Sequence, residues 1–514
     1  MKNKFIKTLL FIAIFGAFGH VSAKEYVKND LTTLFLNNEA VIYGINMRSF
    51  NADDKNGNGI IEPEKGEISG NFLNAIERLD ELKEYGINTI HLMPITPVGK
   101  THAKGTAGSL YAMNSFDSID PNITDPKSKL SPKEQAKKFV EECHKRGIRV
   151  YADIPACGSY DMAKANPELF IRDGNGEFII PINWTDVRLF KVINDDGKIN
   201  QQLVEEHKKF IDMVMELGFD GLRADCATIK YADFWKPVVK YAKSKDPEFL
   251  MLAEAYKDNI EPISPYTGFT NYKKLFKAGF DGYYGRCFEF VIFDNPKQFD
   301  NPKQFKNLFA YVTKKRFGKK KAMIGGFKTH DKPSPYIISD NLAQTIMYMN
   351  ATLPVNPYYL DGFPTGDKYI YPYAGKYAKK TYTDDHVYFV DEGQFDIFNY
   401  SRKPGGNKKD MEELFKKTIQ LRKDLGKIAT HGKMKMLETS DENVFAYERS
   451  YKDEGVIVIM NRNQKEKAFS YVEVNPDKLY KVKIITNEDE TGITRGKIVV
   501  NLPPGKTAVL RYKL

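Results

Sequence analysis

The stretch "SPKEQAKKFVEECHKRGIRVYADIP" (residues 131–155) decides the fold. Ser131, Pro132 and Glu134 make the opening of a capped helix, in which the serine hydroxyl and the glutamate carboxylate satisfy each other's backbone N–H groups. Gly147 ends that helix, because glycine enters the left-handed turn of a helix terminus without steric cost. The residues that follow at once, "IRVYADIP" (148–155), are mostly apolar up to Asp153 and predict a buried strand with one acid near its far end. A helix turning directly into a buried strand is the repeating unit of a parallel α/β sheet.

The unit recurs on both sides. "VIYGINMRSF" (41–50) reads as a strand. "NFLNAIERLDELKEYG" (71–86) has Phe72, Leu73, Ile76, Leu79 and Leu82 at helical spacing with Gly86 as its stop, and "INTIHLMP" (87–94) is the next strand. A longer irregular insertion follows residue 155, and a helix near 199–217 leads into "GFDGLRADCA" (218–227). "FLMLAEAY" (249–256), "AMIGGF" (322–327) and "LPVNPYYL" (353–360) continue the series. Strand–helix units over roughly 380 residues predict a (β/α)₈ barrel, with a short insertion after the third strand. A doubly wound sheet would need a glycine-rich phosphate loop after its first strand, and none is there. Beyond the helix "DMEELFKKTIQLRKDLG" (410–426), short strands and turns predict a smaller antiparallel β domain, a sandwich. The expected plan is a signal peptide at 1–23, a barrel at 24–429 with its insertion at about 156–198, and the β domain at 430–514.

The composition, 42% apolar and 28% charged over 514 residues, is that of a folded globular chain. Net charge is +10, but the lysines are spread and no basic motif is interleaved with aromatics, which argues against a nucleic-acid partner. The N-terminus carries Lys2, Lys4 and Lys7, an apolar run from Leu9 to Phe18, and "VSA" at 21–23. That is the layout of a secretory signal cleaved after Ala23, and the run is too short for a membrane anchor. The mature chain is expected to be secreted or periplasmic, with no membrane attachment. Cys143, Cys157, Cys226 and Cys287 are too few for a disulfide framework and lack zinc spacing. The tandem "DNPKQFDNPKQF" (294–305) reads as an insertion tolerated at the surface.

In a barrel, chemistry sits at the C-terminal strand ends. Those ends carry Asp153, then Arg223 with Asp225, then Glu254, then "THD" at 329–331. Strand alternation places Arg223 and Asp225 on one face, where buried charges are costly unless paired. A structural ion pair accounts for one such dipeptide and helix capping for one such acid. Neither accounts for the set.

These segments resemble the short conserved regions of the α-amylase family, glycoside hydrolase family 13. "GIRVYADIP" is similar to its third-strand region, "GFDGLRADCA" to its fourth, "LMLAEAY" to its fifth and "GFKTHDKPS" to its seventh. "GSLYAMNSFDSIDPN" (108–122) resembles the loop with a sugar-stacking tyrosine, here Tyr111. "TLPVNPYYLDG" (352–362) resembles the exit from the eighth strand. The resemblance spans about residues 38 to 460 and implies a hydrolase acting on α-glucans or maltooligosaccharides. It implies Asp225 as nucleophile, Glu254 as general acid and Asp331 as transition-state stabiliser, with Arg223, His330, Tyr111 and Asp153 binding substrate. Arg223 would keep Asp225 ionised, and neighbouring acids would raise the pKa of Glu254. The third-strand region departs from the family pattern: Cys157 and Gly158 stand where the family has Asn and His. Cys157 and Cys226 then lie at adjacent strand ends, where a bridge is conceivable.

"DKNGNGIIE" (54–62) sets Asp54, Asn56, Asn58, the Ile60 carbonyl and Glu62 at alternating positions, oxygen donors suited to a hard cation, and the family carries a similar calcium loop. Ca²⁺ is therefore the expected structural ion, although Lys65 breaks the EF-hand pattern at its twelfth position. The competing functional readings are an α-glucosidase or glucan transferase of the same family, and an inactive member that only binds glucan.

Overall fold

The computed structural model describes residues 28–56, 61–105, 107–181, 184–255, 270–284, 301–303, 306, 321–326, 329–331, 334–368 and 406–514. The expected signal peptide, Asn58, Ile60, Cys287 and most of the tandem repeat lie outside them.

Eight parallel strands close into a barrel: β1 Ile42–Ile45, β2 Thr89–Leu92, β3 Arg149–Ile154, β4 Gly221–Ala224, β5 Leu250–Glu254, β6 Gly282–Tyr284, β7 Ala322–Gly326 and β8 Asn356–Leu360, with β8 pairing back on β1. The helices between them include α1 Pro132–Lys145, α2 Gln201–Glu216, α3 Ala232–Lys245, α4 Asp340–Thr352 and α5 Lys409–Leu425. The capping box at Ser131 and Glu134 forms as the sequence reads. The barrel interior is filled by Ile42, Tyr151, Leu250, Leu252, Ile324 and Tyr358, and the short helix Leu31–Leu36 plugs it with Leu31 and Phe35. Filling the lower barrel with apolar side chains leaves only the upper interior positions for charge.

Two elements differ from expectation. The first strand stops at Ile45, because Asn46 accepts from the N–H of Arg48 and starts a helical turn over Met47–Phe50. The helix expected over 71–86 tightens to a 3₁₀ turn at Ile76–Arg78. There Arg78 turns inward and donates to Asp361 at 3.2 Å.

The C-terminal region is two antiparallel sheets. One has the order β9 (Lys433–Leu437), β10 (Val444–Tyr451), β11 (Glu454–Asn461), β16 (Thr507–Lys513), β13 (Lys483–Thr486). The other has the order β12 (Ala468–Glu473), β15 (Lys497–Leu502), β14 (Thr491–Thr494). Leu437, Ile457, Ile459, Val472, Val500 and Leu510 pack between them. The opposite face of the larger sheet, with Tyr447, Val456, Val458 and Val509, belongs to the core shared with the barrel helices.

Candidate active site

Register builds the site. Asp153 of β3 is level with Arg223 of β4, and Ala224 is level with Ala253 of β5, so the next residues, Asp225 and Glu254, come side by side. Asp153, Arg223 and Glu254 point into the barrel because they follow Tyr151, Gly221 and Leu252 at a period of two.

Arg223 is fully buried and sits among three carboxylates. Its Nη1 donates to Asp153 Oδ2 at 2.5 Å and lies 3.4 Å from Asp225 Oδ1, while Nη2 donates to Glu254 Oε2 at 2.7 Å. The sequence reading paired Arg223 with Asp225; the guanidinium is shared, and its shorter bonds go to Asp153 and Glu254. Asp225 Oδ2 accepts the N–H of Ala156 at 3.0 Å. Burial and the charges of Glu254 and Asp153 push the pKa of Asp225 up, against Arg223. Burial also opposes the charge on Asp153, but Arg223 and His91 outweigh it and hold that carboxylate below its usual range. The side chains of Asp225, Cys226 and Glu254 bring an oxygen or sulfur each within 4.8 Å of one another.

The seventh strand's exit joins through Tyr111. The Tyr111 hydroxyl donates to Asp153 Oδ2 at 2.8 Å, so His330 Nε2, also at 2.8 Å, must be the donor toward that oxygen. The two rings stack at 5.4 Å. Tyr111 is thus tied into the polar network through its hydroxyl as well as offering a ring. His330 Nε2 is 3.5 Å from Asp331 Oδ2, and Asp331 keeps about a third of its side chain exposed.

Three participants escaped the sequence reading. His91, on β2, is fully buried, lies 3.4 Å from Asp153 and 3.0 Å from the Tyr358 hydroxyl, and stacks on Tyr151. Burial pushes its pKa down to about 4 despite Asp153. Gly44 makes this arrangement fit, since a Cβ there would fall 2.1 Å from the Tyr358 hydroxyl. A lone histidine inside "INTIHLMP" was the available signal. Cys226 takes a left-handed conformation (φ 37°), and its N–H donates to Glu254 Oε2 at 2.8 Å. Lys230, buried between the rings of Phe190 and Trp235, donates to the Ala156 carbonyl at 2.8 Å.

The third-strand departure has a steric reason. A Cβ at Gly158 would lie 2.6 Å from Phe170 Cζ and 3.0 Å from Met162 Sδ, so the room a histidine would need is already filled. Cys157 is buried with Ala112, Ile171, Val187 and Leu189, and Cys143, Cys157 and Cys226 are free thiols. The conceivable bridge between Cys157 and Cys226 is therefore not formed.

Of the cation-loop residues, Asp54, Asn56 and Glu62 are described. Asn56 donates to Glu62 at 2.8 Å, and Lys65 Nζ pairs with the same carboxylate at 2.5 Å. Glu67, outside the expected donor set, is buried and accepts the N–H groups of Lys55, Asn56 and Glu62, closing the loop.

No family model matches the chain. It is 22% identical to alpha-amylase 3 of Dictyoglomus thermophilum over 528 residues, covering 92% of this chain and 93% of the relative. It is 26% identical over 224 residues to the alpha-1,4-glucan:maltose-1-phosphate maltosyltransferase of Bifidobacterium animalis, covering 40% of this chain and 29% of that protein. Against alpha-amylase 2 of Dictyoglomus thermophilum, 28% identical, the match likewise covers less than half of either chain, 48% and 43%. In fold it is similar to the crystal structure of an alpha-amylase from Lactobacillus plantarum, with a TM-score of 0.69 at 19% identity, covering 93% and 99% of the two chains.

Proposed function

We propose that this chain is a glycoside hydrolase of the α-amylase type, an extracytoplasmic retaining enzyme cleaving α-1,4-glucosidic bonds in starch- and maltodextrin-type glucans, a reading supported by its full-length likeness to an alpha-amylase. The observation that carries the reading is the adjacent pair of carboxyls, Asp225 half-buried and Glu254 buried, bridged by Arg223. An oxygen of each lies within 4.8 Å of the other, which supports the close spacing of retaining enzymes, about 5 Å, over the wider spacing of inverting ones.

In this mechanism an Asp225 oxygen attacks the anomeric carbon while Glu254 gives its proton to the departing glycosidic oxygen. The glycosyl ester so formed is cleaved by water, whose proton returns to Glu254. Glu254 Oε2 accepts from both Arg223 and the Cys226 amide, so the transferred proton rides on Oε1. Two acids this close cannot both ionise easily, which keeps one proton on the pair; Arg223 stabilises the charge that remains. Asp331 and His330 would bind hydroxyls of the distorted sugar, and Tyr111 would meet its apolar face. Reducing sugar released from soluble starch, and lost in both Asp225→Asn and Glu254→Gln, tests this; wild-type rates in either variant would refute it.

The partial likeness to a maltosyltransferase supports a second reading, transfer from the same ester to a sugar acceptor. Products longer than maltoheptaose, made from maltoheptaose, would select it. The basic-then-apolar N-terminus supports export. We further propose that Asp54, Asn56 and Glu62, with Asn58 and the Ile60 carbonyl, hold a structural Ca²⁺. Their oxygen chemistry suits a hard cation, and Glu62 already attracts the ammonium of Lys65. A melting temperature lowered by a calcium chelator, and insensitive to it in Asp54→Ala, is the expected outcome.

A further inference from the structure

The smaller C-terminal sheet buries one face and presents the other to solvent. Along β12 the side chains alternate, with Ala468, Ser470 and Val472 inward and Phe469, Tyr471 and Glu473 outward. Phe469 is 50% and Tyr471 41% exposed, and their rings meet at 5.3 Å and 89°. Their cross-strand neighbours are mostly polar, with half-buried Val499 opposite Tyr471. Asn501 lies opposite Phe469, and Lys497, opposite Glu473, is ion-paired with it. Val499 separates Tyr471 from Gly492, where an added Cβ would meet nothing within 4 Å, so the strip beside the rings is open.

We propose that Phe469 and Tyr471 form a second glucan-binding site, remote in sequence from the carboxylates and devoted to holding polymeric substrate. A pyranose offers an apolar C–H face and a rim of hydroxyls; the two rings suit the face, and Asn501, Lys497 and Glu473 suit the rim. The right angle between the rings selects among glucans. Successive glucose units of an α-1,4 chain turn relative to one another, so a bent pair of rings can meet two of them, whereas a flat β-1,4 chain asks for a coplanar platform. A protein partner fits less well, since a stable interface buries about 800 Å² per side around an apolar centre and here two rings stand among charged neighbours. The site rests on the α-glucan reading above.

The test uses the full chain carrying Asp225→Asn, mixed with starch granules or with cellulose and separated by centrifugation. Adding Phe469→Ala and Tyr471→Ala should weaken retention on starch about fivefold or more, the effect of losing roughly 1 kcal/mol of ring contact. Phe469→Trp with Tyr471→Trp should keep it, and cellulose should retain neither form. Unchanged retention in the alanine variant, or equal retention on cellulose, overturns the proposal. So does a dimer that becomes a monomer in the alanine variant by sedimentation, which would make this face a contact between copies. Wild-type chain that releases no sugar from starch, yet loses granule binding in the alanine variant, would refute the active-site reading and leave this one standing.

Discussion

Arg223 Nη2 lies 2.7 Å from Glu254 Oε2 and Nη1 lies 3.4 Å from Asp225 Oδ1, so of the two carboxyls assigned to the reaction the buried cation bears more directly on the proposed acid/base residue. Replacing it by lysine keeps the charge but not the fork that reaches Asp153 and Glu254 together. Losing one charged hydrogen bond of this kind costs about 1.5–3 kcal/mol. If that loss falls on the transition state, kcat/KM on maltopentaose should drop by roughly 10- to 100-fold in Arg223→Lys. A change under fivefold would mean that the guanidinium only fills space.

Lys230 is linked to Asp225 through one backbone residue. It donates to the Ala156 carbonyl, and the N–H of Ala156 holds Asp225 Oδ2. Lys230→Met should lower kcat about tenfold while KM changes little, the scale of one lost hydrogen bond to a charged group. Removing the positive charge should also move the acid limb of the pH profile upward, because Asp225 then holds its proton more tightly. A purely structural lysine would lower the melting temperature without moving that limb.

Burial pushes the pKa of His207 down to about 3, with Lys230 acting the same way and the Leu203 carbonyl opposing. The ring is surrounded by Phe116, Phe190, Phe234 and Trp235. An unfolded histidine titrates near 6.5, so between pH 6.5 and 3 the unfolded chain binds more protons. The neutral ring's contribution is complete above pH 6.5 and falls away below it, by about 2–3 kcal/mol at pH 4.5. Thermal melts of His207→Gln at pH 7 and 4.5 should show a smaller acid-induced drop than wild type. An equal drop would assign acid lability elsewhere.

Gly158 faces Phe170 at a distance that admits no Cβ. Gly158→Ala should destabilise by about 1–3 kcal/mol through overpacking. Pairing it with Phe170→Leu should recover part of that loss in the melting temperature, whereas additive losses would rule out the steric account.

The barrel and its strand-end residues were legible because both follow from short-range rules. Helix caps and glycine stops mark the units, and a charge inside an apolar run marks a strand end, as at Asp153, Arg223, Asp225 and Glu254. What surrounds those residues was not legible. Cys226 matters through its backbone amide, which no side-chain pattern reveals. Lys230 looked like any surface lysine until the chain folded it between Phe190 and Trp235. His91 and Tyr358 meet across the barrel, 267 positions apart. Arg78, in the 3₁₀ turn at Ile76–Arg78, likewise meets Asp361, distant in sequence and adjacent in space.

The central claim is that Asp225 is the nucleophile of a two-step displacement, and a trapped ester tests it most directly. The chain is incubated with a fluorine-substituted maltosyl fluoride, whose ester hydrolyses slowly, then digested and read by mass spectrometry. The account predicts one added glycosyl group on the peptide containing Asp225, and none in Asp225→Asn. A glycosyl group on another residue, or turnover that inverts the anomeric centre with no labelled peptide, would contradict it.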